Sequence, residues 1–170
     1  MEKVMKWTKQ GIALAAVALF SANTWAGEGP SGHSHSHGHS HGEVFSAGEP
    51  GNPKKPAKIV QVTMGESDGK MLFVPARLEV RKGDQIKFVL RNNGELDHEF
   101  VLASTADNLK HAEAMKKNPG MVHEDPNGRQ LAPNKTSEMV WKFSKAGEFE
   151  YACLIPGHRE AGMTGTIVVK

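Results

Sequence analysis

The chain has 170 residues, with 21 basic and 19 acidic side chains, nine histidines and one cysteine. That length suits one ordinary domain with appendages, and a net charge of +2 lacks the basic excess expected of a nucleic-acid or anionic-membrane binder. A lone cysteine excludes an internal disulfide, so the fold must rest on its own core and the thiol needs burial or a partner.

Residues 1–26 have the form of an export signal peptide. Lys3, Lys6 and Lys9 precede an apolar run of ten residues, Gly11 to Phe20, and Thr24 and Ala26 flank a cut before Gly27. A bilayer span needs about twenty apolar residues, so the mature protein is expected in the periplasm with no stable membrane insertion. Removing Lys3, Lys6, Lys9 and Glu2 with the signal leaves 18 charges of each sign.

Residues 27–56 read as a disordered His-rich tail and linker, poor in large apolar groups. His33, His35, His37, His39 and His41 alternate with Ser or Gly, which suits labile capture of Cu(II), Zn(II) or Ni(II). "GEPGNPKKPAK" reads as a stiff, proline-bearing linker.

Residues 57–170 carry the period-two pattern of half-buried strands. "KIVQVTM" is one strand, and "MLFVPARLEV" another, where Pro75 points to an edge or a bulge. "QIKFVLRN" places Ile86, Phe88 and Leu90 on one face, and "HEFVLAS" opens at His98 after a loop. "TADNLKHAEAMKKN" is the one helical stretch, with Leu109, Ala112 and Met115 at helical spacing. A polar connection runs to Lys135, before the strands "SEMVWKF", "GEFEYAC" and "GTIVVK". Seven or eight short strands predict an all-β Greek-key sandwich with one short helical insertion.

The chemistry concentrates in "CLIPGHREAGM". Cys153, His158 and Met163 share one strand-to-strand connection, and His98, at the start of a strand, is the best candidate for a fourth donor. Taken singly, a buried Cys is ordinarily inert core, a Met at a strand start is packing, and His98 between Asp97 and Glu99 is a surface residue. Their joint spacing argues otherwise. A thiolate, two imidazoles and a weak thioether make the donor set of a type 1 copper site, and binding keeps the thiol deprotonated. Zinc accepts the same residues, but a Met ligand fits copper better. A softer accessory site from His111, Met115, Met121 and His123 is an outside candidate, set against Met115 as helix core.

"CLIPGHREAGM", together with "FVPARLEVRKGDQIKFVLRNNGELDHEF", resembles the cupredoxins, the plastocyanin and azurin superfamily. The resemblance covers residues 57–170 and implies one copper held by His98, Cys153, His158 and Met163. Plastocyanins have a shorter Cys-to-His spacing, and the helical insertion is azurin-like in placement. The combination of signal, His-rich tail and this domain is similar to periplasmic copper-tolerance cupredoxins. No nucleophile with a positioned base is visible, "HEDPN" is not His-Glu-x-x-His, and His-x-His pairs occur only in the tail, so an enzyme is not expected. Copper handling and mobile electron transfer are the two expectations. The partners are copper ions and periplasmic copper-handling or redox proteins.

Overall fold

In the central strand β5 (Gln85–Asn92), Ile86, Phe88, Leu90 and Asn92 are buried and the residues between them are more accessible, as a strand with one face on a core demands. This is a computed structural model, and it describes residues 45–118 and 125–170. The signal and histidine-tract assignments (1–26 and 33–41) lie outside the described residues.

Among the described residues, ten strands form two five-stranded sheets. The first has the order β1 (Glu49–Pro50), β8 (Thr136–Lys142), β5, β2 (Lys58–Ser67), β3 (Lys70–Val74). The second has the order β4 (Arg77–Val80), β10 (Thr164–Val169), β9 (Gly147–Ala152), β6 (His98–Ala103), β7 (Gly128–Leu131). The pairs β2–β5 and β4–β10 are parallel, and the others are antiparallel. Val62, Met64, Phe88, Leu90, Met139 and Trp141 from the first sheet meet Phe100, Leu102, Tyr151 and Ile167 from the second in one buried core. Full burial of each such large side chain contributes about 1.5–3 kcal/mol. The rings of Phe100 and Tyr151 stack at 5.2 Å, and the Tyr151 hydroxyl donates to the Pro75 carbonyl.

Pro75 does more than mark an edge. "MLFVPARLEV" is two strands, β3 and β4, each at the edge of a different sheet, so the chain changes layers at the proline. Asp68 and Gly69, both with positive φ, close the two-residue turn between β2 and β3.

Strand β6 is buried on both faces. Its outer face is covered by α1 (Thr105–Lys117), where Ala112 joins Val101, Ala152 and Leu154 in a second apolar cluster. Ser104 caps the helix, its hydroxyl accepting the Asp107 N–H. The helix face differs from the sequence expectation. Asn108, Ala112 and Met115 are buried while Leu109 is exposed. Asn108 turns inward because its amide donates to Glu150, both to the carbonyl and to the carboxylate.

The boundary at residue 57 also shifts. Phe45 packs edge-on against Trp141 at 5.3 Å, Ala47 is buried, and β1 pairs with β8. The Gln85 side chain holds the following segment, accepting the Asn52 N–H and donating to the carbonyls of Asn52, Lys55 and Pro56. Among the described residues, packing on the first sheet therefore reaches back to Phe45, and the proline-rich stretch is laid against that sheet.

Candidate metal centre

Three segments end at one place. Strand β6 begins with His98, β9 is followed at once by Cys153, and the connection from Cys153 to β10 carries His158 and Met163. Cys153, His98 and Met163 are fully buried and His158 is partly exposed. The connection is laced by its own backbone. Cys153 N–H donates to Met163 O at 3.1 Å, Met163 N–H to His158 O at 3.1 Å, and His158 N–H to Ile155 O at 3.0 Å. Gly157 and Gly162 take positive φ values of 92° and 98°, a conformation that a side chain would strain.

The donor atoms converge. His158 Nδ1 lies 3.3 Å from Cys153 Sγ and 3.3 Å from His98 Nδ1, and one donor atom from each of the three residues falls within 4.8 Å of the others. The protonation pattern follows from the surroundings. Glu66 Oε1 sits 2.8 Å from His98 Nε2. An ionised carboxylate only accepts, so the Nε2–H points to it, which leaves Nδ1 as the acceptor nitrogen of the neutral ring. Burial, then repulsion from His98 whenever that ring is protonated, hold His158 below the usual imidazole range. Burial pushes the Cys153 thiol up to about 12, even though the N–H groups of Glu99 and Ile155 favour its thiolate. Two imidazole nitrogens and a sulfur thus face one another in a dry position, with few protons to share. A soft cation that takes all three as donors relieves that arrangement.

The sequence-predicted residues fall into three groups. His98, Cys153 and His158 come together. Met163 is buried and its backbone bridges Cys153 and His158. Of the accessory set, Met115 is buried on α1 and His111 lies on the same helix, while Met121 and His123 lie outside the described residues. Sequence reasoning missed Asn92 and Glu66. Buried Asn92 accepts the Gly94 N–H and donates to the carbonyls of Leu96 and Leu131, pinning the loop that leads into His98. An Asn ending a strand before "NG" was a turn signal that could have exposed it.

Residues 60–170 match the family model described as copper binding proteins of the plastocyanin/azurin family. The chain belongs to that family. This cupredoxin is 42% identical over 162 residues to the copper-resistant cuproprotein CopI of Rubrivivax gelatinosus, covering 93% of this chain and 95% of that protein. It is 32% identical over 158 residues to the copper-resistant cuproprotein CopI of Pseudomonas aeruginosa, covering 76% of this chain and 84% of that protein. Among solved structures it resembles auracyanin B in fold, with a TM-score of 0.59 at 21% identity, covering 74% of this chain and 98% of that one. The β-sandwich expected from the strand pattern and the cupredoxin family expected from the resemblance are therefore both found, and the family binds copper.

Proposed function

We propose that this cupredoxin is an exported, periplasmic type 1 copper protein that serves copper tolerance, with His98, Cys153, His158 and Met163 as the ligands. The observation that carries the reading is the convergence of Cys153 Sγ with two imidazole Nδ1 atoms at a buried site. The names of the CopI relatives supply the tolerance role. Copper bound there supplies a one-electron couple. The chain's own part is to exclude water around Cys153, to hold His98 in one tautomer and to keep the connecting loop rigid. The histidines at 33–41 act as labile chelators of Cu(II), Zn(II) or Ni(II), and the partners are copper ions and periplasmic copper-handling or redox proteins. No helix among the described residues is long and apolar enough to cross a membrane.

A second reading, a mobile electron carrier, draws support from the backbone lacing of the Cys153–Met163 connection, since a donor set held rigidly suits electron transfer. Two experiments separate the possibilities. Cu(II) added to the mature protein is expected to produce an intense visible thiolate-to-copper band that Cys153→Ala abolishes. A colourless complex overturns the ligand assignment. Deleting the gene is expected to sensitise cells to copper, whereas a respiratory defect with normal copper tolerance replaces this reading with the carrier.

A further inference from the structure

Glu66 lies far from His98 in sequence, yet among the described residues its carboxylate is the acceptor that faces the outer nitrogen of that buried ring. The surrounding backbone is shaped around it. Oε2 accepts the Glu95 N–H at 3.0 Å, and Oε1 accepts the Leu96 N–H at 3.2 Å together with His98 Nε2 at 2.8 Å. Gly94 makes room, since a Cβ there would stand 2.3 Å from Oε2. Gly65 allows the loop to lie close, because a Cβ there would stand 3.3 Å from the Gly94 nitrogen. Asn92 fixes the loop from inside through Gly94 and Leu96, and Asn93 N–H donates to Met64 O on β2. A carboxylate gripped by two backbone N–H groups and one imidazole is positioned, not incidental.

A neutral acceptor would fix the His98 tautomer equally well. What a carboxylate adds is a full negative charge one imidazole ring away from the donor atom, with the Glu66 side chain only about a quarter exposed. Hydrogen bonding of a ligand imidazole to a carboxylate raises the basicity of the metal-facing nitrogen. Both effects favour the more highly charged metal ion, Cu(II) over Cu(I). We propose that Glu66 is a positioning residue of the copper site, which aims His98 Nδ1 at the metal and biases the site toward retaining Cu(II). This rests on the type 1 copper reading given above, and it deepens that reading: the site is built to keep hold of oxidised copper.

The test compares wild-type, Glu66→Gln and Gly94→Ala proteins by Cu(II) and Cu(I) affinity and by redox titration of the visible band. Thermal unfolding of each metal-free form reports on the fold. Glu66→Gln removes the charge and keeps the oxygen that faces His98, while its NH2 can no longer accept the Glu95 N–H. It is expected to retain the band while losing about 10-fold to 100-fold in Cu(II) affinity, with a smaller change for Cu(I). Each tenfold of that difference appears as a rise of about 59 mV in potential. Gly94→Ala pushes the carboxylate away without removing it, so its shift is expected in the same direction and smaller. It reads the same quantity should Glu66→Gln fail to fold. Unchanged Cu(II)/Cu(I) preference in folded, coloured variants overturns the role of Glu66 and leaves the copper site standing. A wild-type protein with no thiolate band overturns both readings.

Discussion

Copper uptake by the metal-free protein should release one proton above neutral pH, and the burial of Cys153 sets the size of the effect. The thiol is pushed up to about 12 because its sulfur is enclosed by apolar neighbours. At pH 7 the bare protein therefore holds it protonated, about five units below its midpoint, and forming the thiolate costs about 7 kcal/mol of apparent affinity at roughly 1.4 kcal/mol per unit. Each unit of rising pH returns one unit of that cost, so apparent Cu(I) affinity should climb about tenfold per pH unit from 7 to 9. His158 adds no proton in that window, because burial and the neighbouring His98 keep it neutral. Competition against a Cu(I) chelator of known pH dependence gives the slope. Calorimetry in two buffers with different protonation heats gives the proton count. A flat affinity between pH 7 and 9, with no proton released, would show that the thiolate already exists in the metal-free protein and refute the argument from burial.

The same thiol governs alkaline stability. Its folded value of about 12 lies above its ordinary 9.0, so the stability it contributes is fully present below pH 9 and lost as pH rises toward 12, about 4 kcal/mol in all; metal-free Cys153→Ala should lack that loss in melts from pH 8 to 10.5. Asn92→Ala removes three hydrogen bonds at a buried position and should cost about 3 kcal/mol in denaturant unfolding; a loss under about 1 kcal/mol would mean the loop finds other partners. Gly165→Ala sets a Cβ 2.2 Å from the buried Tyr151 ring and should destabilise by about 1–3 kcal/mol, with the visible band of the folded fraction unchanged.

The parts of the fold legible in the sequence were those governed by local periodicity. Strand β5 could be read because Ile86, Phe88 and Leu90 alternate with polar residues. Cys153, His158 and Met163 could be singled out because they share one short connection, and His98 because it opens a strand. Strand β7 was not legible. "GRQL" is short and polar and becomes a strand only by pairing with β6 at the sheet edge. Residues 45–56 were misplaced for a related reason. Their order depends on Trp141, β8 and the Gln85 amide, all distant in the chain. The inward turn of Asn108 depends on Glu150 across the interface, which no helical periodicity reports. Glu66 belongs to the same class, since its meaning comes from a ring 32 positions away.

The loop that bears His158 is also tied down from outside. Glu150 holds Arg159 at 2.9 Å and the amide of Asn108, while Lys116 at the end of α1 meets Glu160 at 3.2 Å. Every one of these fastenings is made from protein to protein. The loop is therefore expected to keep its form when copper leaves, in contrast to a zinc finger whose fold collapses with its ion. Such a site could be emptied and refilled with no refolding step between one load and the next, an outcome that circular dichroism over repeated chelation and reloading would check.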